Sequence, residues 1–341
     1  MKGMQMQKNS QKFIEILTGL ATEGNQFSLD RGTKEISTFL YQHKLTPFFL
    51  SYPNVLVETD FNEEEKNKVC LKQYEKKLLG KSEKHLKLLV ELASIFKQAE
   101  ISWLPLKGTL LSKRLYNHYH MRIVGDIDLL IRKKDIYTVA DSLEKNGFFI
   151  NREEMEDSLI NHYHYTAFKQ NVPIEIHWNI DYGDLDYPDI FFKEAQTNYL
   201  LNEEIEIVSD ENQIILALVN ISKDWYTRTC LSKYLDLIFL LKIGKYDYTS
   251  LVNKIEHFKL ENRIYPIKII LQQLFSYWGM AEITCKPSQL TKIVTKCFVR
   301  CEDVLQLKPP MILIRKLGER IMWNTASYYY SSRGGPIKKC F

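Results

Sequence analysis

The sequence predicts an α+β fold, in which a small mixed sheet is flanked by helical regions on both sides along the chain. Two observations predict it. Apolar residues recur at helical spacing before residue 100 and again after residue 210, whereas short apolar runs alternate with amphipathic stretches between them. We therefore expect a helical N-terminal region (1–100), an α+β core (101–209), and a helical C-terminal region with a flexible tail (210–341).

Composition agrees with a folded, soluble protein. Of 341 residues, 45% are hydrophobic and 26% are charged, which excludes wholesale disorder. The net charge of +4 permits a nucleotide or nucleic-acid partner without requiring one. The 6 cysteines form no CxxC pair and favour free thiols in a reducing compartment. The N-terminus has no apolar signal core, and no stretch approaches the ~18 apolar residues of a membrane span. We expect a cytoplasmic protein without a membrane partner.

The predicted core begins with a short apolar strand, 101–106, bounded by proline and glycine. A Lys-Gly pair follows, and then a helix over 109–116. The run DIDLLI at 126–131 predicts a second strand. An amphipathic helix over 135–146 comes next and ends at Gly147.

The rest of the core continues the strand pattern. Residues 163–168 and 174–178 predict paired strands joined by a turn at 171–173. The stretch 181–190 is typical of a loop, and 205–208 predicts a short strand. Asp210 and Gln213 then resemble a capping box that opens a helix.

Asp126 and Asp128 are the first candidates for chemistry. Residues i and i+2 of a strand point to the same face, so these two carboxylates project together while Ile127 and Leu129 face a core. Like charges repel unless a cation lies between them, and Mg²⁺ or Mn²⁺ suits carboxylate oxygens. For the same reason, replacing either aspartate by asparagine is expected to leave the fold intact. The alternative for an isolated DxD is a solvated strand end.

A second strand repeats this geometry. In IEIHW, Glu175 and His177 share one face, and Glu175 joins the aspartates if the two strands are neighbours. Asp126, Asp128 and Glu175 are therefore the predicted catalytic residues and metal ligands, because three carboxylates can hold two metal ions for in-line transfer of a nucleotidyl group. His177 is interpreted as a substrate contact or as support for a metal ligand. A zinc site built from His162, His164 and His177 is disfavoured, since carboxylates dominate and cysteines are absent nearby.

A polyphosphate also needs positive groups. Lys107 and Gly108 lie between a strand and a helix, where the helix offers free N–H groups to an anion. Arg122, four residues before Asp126, suits a pair of phosphate oxygens. The alternative for the Lys-Gly pair is a turn with a solvated lysine. The predicted nucleotide-binding residues are Lys107, Gly108, Thr109, Arg122, Gly125, His177, Lys223 and Lys233.

These motifs together resemble a known family. The segments LKGTLL, RIVGDIDLLI, NHYHYTAF and IEIHWNI are similar to the uncharacterised nucleotidyltransferase family of the DNA-polymerase-β-like superfamily. The segments YQHKLTPFFL at 41–50 and YLDLIFLL at 234–241 extend the resemblance over about residues 35–242. The chain departs from the superfamily's usual pattern in two places, with Lys107-Gly108 instead of Gly-Ser and Glu175 instead of Asp.

The resemblance implies a mixed sheet with both aspartates on one strand and Glu175 on its neighbour. It also implies a nucleoside triphosphate, ATP before the others, with Mg²⁺ or Mn²⁺. The expected reaction moves a nucleoside monophosphate to an acceptor, which is a small molecule, a peptide, a protein or RNA. Members of this family resemble enzymes that tailor peptide natural products, which makes a modified peptide one candidate acceptor. The alternatives are a toxin-like enzyme acting on tRNA, a non-catalytic nucleotide-binding module and a metal-dependent nuclease.

An open sheet face needs a wall before it can enclose a substrate. The C-terminal helices are the nearest material for that wall, so we expect the acceptor to enter a cleft between them and the sheet. Lys223, Arg228 and Lys233 are the basic residues expected there. The alternative for these three is a solvated helix face.

Overall fold

The computed structural model describes residues 39–47, 61–182, 185–224, 226, 228–275, 277, 279–280, 283, 286–299 and 301–306. The helical patterns expected before residue 38 and the flexible tail expected at the C-terminus lie outside these residues.

Helices make up most of the described chain. They are α1 (Phe61–Gln98), α2 (Thr109–Tyr116), α3 (Ile136–Lys145), α4 (Arg152–Asn161), α5 (Tyr187–Lys193), α6 (Asp210–Lys223), α7 (Leu231–Ile243), α8 (Tyr248–His257), α9 (Glu261–Phe275), α10 (Gln289–Phe298) and α11 (Cys301–Leu305). The strands are β1 (Trp103–Pro105), β2 (Ile127–Ile131), β3 (Phe149–Ile150), β4 (His164–Lys169), β5 (Val172–His177), β6 (Gln196–Leu200) and β7 (Glu203–Ile207). Among the described helices, none is both long enough and apolar enough to cross a membrane.

Five strands form one mixed sheet in the order β1-β2-β5-β4-β3. The central strands β2 and β5 run parallel, and the other neighbours are antiparallel. The β2–β5 register sets Asp128 opposite Glu175 and Leu130 opposite His177. Strands β6 and β7 form a separate hairpin. The α+β class predicted from the sequence is confirmed.

The two faces of this sheet pack against different helices. Ile127, Leu129 and Ile131 belong to a buried cluster with apolar residues of α1 and α3. Leu130, which points the other way, belongs to a second cluster with α6, α7 and α9. The odd–even alternation of β2 therefore directs Asp128 towards the side covered by the C-terminal helices.

The turn between β4 and β5 differs in position from the prediction. Gln170 and Asn171 both have positive φ, 51° and 61°, as a two-residue type I′ turn requires. Pro173, which the sequence predicts in the turn, lies instead in β5 opposite Phe168. The hairpin is thus tighter than the proline suggested, because asparagine tolerates the left-handed conformation that the turn needs.

Two further predictions were wrong. The stretch predicted as a loop contains the start of α5, where Pro188 occupies the first turn and Tyr187 is buried. The cap of α6 is Ser209, whose side chain accepts a hydrogen bond from the Asn212 backbone N–H, rather than Asp210. Asp210 pairs with Arg114 of α2 instead.

Candidate active site

A cluster of two carboxylates and one imidazole lies on the central strands. The His177 Nε2 atom is 3.2 Å from Oδ1 of Asp128 and 3.2 Å from Oε2 of Glu175. One ligand atom from each of the three residues lies within 4.8 Å of the others. Asp128 is buried, whereas Glu175 is partly open to solvent. Parallel pairing of β2 with β5 creates this cluster, because it sets Asp128 beside Glu175.

Lys107 neutralises part of the cluster. Its Nζ lies 2.9 Å from Oδ1 of Asp128. Burial alone lowers the pKa of Lys107, but the charges of Asp128, Asp126 and Glu175 outweigh it and hold that pKa above its usual value. Burial likewise raises the pKa of Asp128, yet Lys107 and His177 outweigh it and hold that pKa below its usual range. The folded protein therefore favours an ionised Asp128 paired with a protonated Lys107.

Asp126 lies one residue before β2 and has a different environment. Burial, followed by the charge of Asp128, raises the pKa of Asp126, although Lys107 opposes the shift. Asp126 is thus close enough for the charges of the cluster to change its pKa, and its ionised form is disfavoured there. Its predicted role as a metal ligand remains a prediction. Gly125 beside it is exposed, with open space around its Cα.

The donor set fits a divalent cation. Within the described residues, the buried atoms Oδ2 of Asp128 and Nδ1 of His177 have no hydrogen-bond partner. Carboxylate oxygens suit Mg²⁺ and Mn²⁺, and an imidazole nitrogen adds a ligand that Mg²⁺ uses less readily. Asp128, Glu175 and His177 are therefore the residues that the geometry offers to a metal ion. Of the predicted catalytic trio, Asp126 is not in this group.

The backbone conformation at residue 108 explains why the Lys-Gly pair contains a glycine. Gly108 has φ 85° and ψ −143°, a conformation that is essentially restricted to glycine. A Cβ atom built there would meet only Val124, at 3.6 Å, so strain rather than crowding excludes a side chain. Helix α2 begins at the buried Thr109, two residues after the lysine that contacts Asp128. The first N–H groups of this helix, which have no partner within the helix, thus start beside the cluster.

The C-terminal helices reach the cluster through Lys223. At the end of α6, its Nζ donates to the Tyr163 hydroxyl at 3.0 Å and to the Ile180 carbonyl at 2.7 Å. The Tyr163 ring stacks on the ring of His177, with centroids 5.9 Å apart. Burial lowers the pKa of Lys223 to about 8. Lys223 therefore joins the helical region to the sheet at the predicted site.

Over residues 61–276, the chain matches a protein family described as an uncharacterised nucleotidyltransferase. The chain belongs to this nucleotidyltransferase family. No curated protein and no solved structure matches it. The matched range runs from α1 through α9, so helices on both faces of the sheet belong to the nucleotidyltransferase unit.

Arg122 of this nucleotidyltransferase already has a carboxylate partner. Its Nε donates to Oδ2 of Asp236 at 2.9 Å, and the Tyr116 hydroxyl donates to Oδ1 of the same carboxylate at 2.7 Å. Asp236 belongs to the YLDLIFLL segment of α7, so the pair links two of the resembling motifs. This geometry favours a structural role for Arg122, namely holding α7 against the core. Its phosphate-binding role remains a prediction.

His43 also has a structural setting. Its Nδ1 accepts a hydrogen bond from the Leu231 backbone N–H at 3.3 Å, and its Nε2 lies 3.0 Å from the Leu305 carbonyl. These contacts select the neutral tautomer with the proton on Nε2. Burial lowers the pKa of His43 to about 4. The residue thus fastens the YQHKLTP segment to the start of α7.

The predicted cleft between sheet and helices is small. A cavity of about 40 Å³ lies there, lined by Lys107, Asn220 and Lys233 among others. Lys233 pairs with Asp224, and Arg228 is exposed on the surface. A much larger cavity, of about 750 Å³, lies beyond the carboxyl ends of β2 and β5. The structure thus places Lys107, Asp126 and Lys223 around the cluster of Asp128, Glu175 and His177, whereas no described contact joins Arg228 to it.

Sequence reasoning missed the support beneath this site. Arg263 of α9 is buried, forms an ion pair with Asp181, and donates to the Ser222 hydroxyl at 3.0 and 2.8 Å. Arg263 thus links the segment after β5, through Asp181, to the end of α6, through Ser222, next to Lys223. Asp181 lay in a stretch predicted as a loop, and no local pattern marks Arg263, because the pairing spans 82 positions.

Proposed function

We propose that this protein is a metal-dependent nucleotidyltransferase that transfers a nucleoside monophosphate from a nucleoside triphosphate, ATP before the others, to an acceptor hydroxyl. The observation that carries the proposal is the Asp128–Glu175–His177 cluster with Lys107 directly upon it. Membership of the nucleotidyltransferase family supports the reaction class.

Asp128, Glu175 and His177 would hold Mg²⁺ or Mn²⁺, with Asp126 beside them. When bound, such a cation neutralises phosphate charge and favours the ionised form of an attacking hydroxyl. In the reaction, the acceptor oxygen bonds to the α-phosphorus while the bond to pyrophosphate breaks, and the hydroxyl proton is released.

The chain's own residues bind and orient the triphosphate. Lys107 carries the positive charge nearest to the carboxylates, and the first N–H groups of α2 offer donors to phosphate oxygens. With Asp128 held by such a cation, Lys107 would be available to the triphosphate, since its side chain is 34% exposed. Gly108 keeps the backbone in the conformation that places these groups together.

Isotopic labelling tests the proposal. The protein is incubated with each of the four nucleoside triphosphates, labelled at the α-phosphate or at the γ-phosphate, with Mg²⁺ or Mn²⁺. RNA, protein and small-molecule fractions serve as acceptors. We expect the α-label to join an acceptor and the γ-label to appear only in pyrophosphate. Transfer of the γ-label, binding without transfer, or cleavage of nucleic acid would each contradict the proposal, and the last two match the non-catalytic module and the nuclease.

A further inference from the structure

The cavity of about 750 Å³ is the feature that the catalytic cluster does not explain. Its volume lies within the range of cavities that hold small ligands. In open sheets, ligands bind beyond the carboxyl ends of parallel strands, and β2 and β5 are the parallel pair. Arg132 and Trp178, the residues directly after these two strands, both line the cavity. The cavity is thus where the topology favours a substrate.

One aromatic ring separates this cavity from the metal-binding cluster. Tyr163 lines the cavity and stacks on the ring of His177, whose Nε2 contacts Asp128 and Glu175. Lys223 donates a hydrogen bond to the Tyr163 hydroxyl and fixes its position. A molecule in the cavity would therefore lie next to the cluster, whereas Lys107 and α2, where we place the triphosphate, do not belong to the described lining.

The uncompensated charge around the cavity is positive. Among the described acidic groups of the lining, Asp181 pairs with Arg263 and Asp189 with Arg132. Asp186 contacts His257, which carries a positive charge only when protonated, so one negative charge of these three is left without a permanent positive partner. Lys133 and Lys134 at the rim are exposed, and in the described part of the chain no carboxylate pairs with them. The cavity therefore favours an anionic ligand.

The lining also offers flat rings. Tyr163 and Tyr182 meet edge to face with centroids 4.8 Å apart, and His162 also lines the cavity. Aromatic rings next to exposed lysines are the combination that binds a base together with its phosphate. A neutral peptide or a neutral sugar would leave the two lysines without a partner.

We propose that this cavity binds the acceptor, and that the acceptor is a phosphate-bearing nucleotide with a free hydroxyl, supplied either as a mononucleotide or as the 3′ end of an RNA strand. The inference rests on the proposed function and names its acceptor. The hydroxyl oxygen of that nucleotide forms the new bond to the α-phosphorus of the triphosphate, pyrophosphate leaves, and the hydroxyl proton passes to solvent.

Salt-dependent binding tests this assignment without turnover. The probe is a fluorescently labelled ten-nucleotide RNA with a free 3′ hydroxyl, and adenosine monophosphate competes with it. The variant is Lys133→Ala/Lys134→Ala, and the matched control is Lys76→Ala/Lys77→Ala, an exposed lysine pair on α1. Loss of two phosphate contacts should make the negative slope of log K against log salt less steep by about 1.4. The control should match the wild type, and the affinity for a fluorescent ATP analogue should stay unchanged in both.

Competition separates the two sources. Displacement of the RNA by the mononucleotide at similar concentration indicates a free nucleotide, and resistance indicates a strand end. An unchanged slope in Lys133→Ala/Lys134→Ala, an equal loss of ATP-analogue binding, or a lysine-independent preference for an acidic peptide would overturn the assignment. Label transfer with unchanged RNA binding would overturn only this inference. Lysine-dependent RNA binding without any label transfer would overturn the proposed function instead.

Discussion

Asp126 and Asp128 are two residues apart, but the fold stabilises only one of their carboxylates. The pKa of Asp128 lies below its usual range, because Lys107 and His177 outweigh burial. The pKa of Asp126 is raised by burial and by the charge of Asp128. A depressed pKa means that the ionised group stabilises the fold, and a raised one means that it destabilises the fold. The two Asp→Asn replacements should therefore change stability in opposite directions.

Asp128→Asn removes the carboxylate that faces Lys107. Breaking a buried ion pair costs about 3–5 kcal/mol, but solvent reduces this cost here because the Lys107 side chain is 34% exposed. We expect a loss of about 2 kcal/mol, or a fall in Tm of roughly 4–8 °C. Asp126→Asn relieves repulsion and should leave Tm unchanged or slightly higher. Both replacements are still expected to leave the fold intact, but only Asp126→Asn is expected to do so without a loss of stability.

Thermal unfolding followed by circular dichroism, at pH 7 with EDTA to remove metal, measures both effects. Asp157→Asn on the exposed face of α4 is the control, and its Tm should equal that of the wild type. A stability of Asp128→Asn equal to the wild type would refute the reasoning. So would an equal loss in Asp126→Asn, because the two carboxylates would then share one environment.

Three other predictions follow from particular contacts. The pKa of His43 is about 4 in the folded protein and 6.5 ordinarily, so the unfolded state binds more protons between these two pH values. The free energy of unfolding should therefore fall by roughly 3 kcal/mol as pH drops from 6.5 to 4, and by less in His43→Gln. Urea unfolding at several pH values will measure both. Asp236→Ala leaves Arg122 buried without its carboxylate and should cost about 3 kcal/mol in urea unfolding; a loss below 1 kcal/mol would show that the pair does not hold α7. His177→Ala should lower Mn²⁺ affinity at least about tenfold, and Mg²⁺ affinity less, in calorimetric titrations. An unchanged Mn²⁺ affinity would mean that the imidazole is not a ligand.

Local patterns predicted the parts of the site that depend on one strand at a time. Alternation along β5 set Glu175 and His177 on one face, and the same rule separated Asp128 from Leu129. That the two strands are neighbours was implied only by the resemblance to the nucleotidyltransferase family. The parallel register that sets Asp128 opposite Glu175 depends on packing between distant segments, so no single strand could reveal it.

The parts that the sequence did not predict lack a local signal. Strand β6 carries mainly exposed residues from Gln196 to Tyr199, so its apolar alternation is absent. The α4 helix buries only Met155, and its amphipathic pattern is correspondingly weak. The Asp181–Arg263 pair and the His43 contacts join residues far apart along the chain. Such contacts are decided by tertiary packing, which sequence periodicity does not report.

Glu175→Gln tests the central claim most directly. Glu175 is a partly exposed carboxylate whose described contact is with His177, so the isosteric amide should leave Tm nearly unchanged. If Glu175 belongs to the metal-binding cluster of a nucleotidyltransferase, transfer of α-label from ATP to acceptor should fall by about a hundredfold or more at saturating metal. Glu203→Gln, on the exposed hairpin strand β7, should retain wild-type transfer. Full transfer by Glu175→Gln would contradict the account.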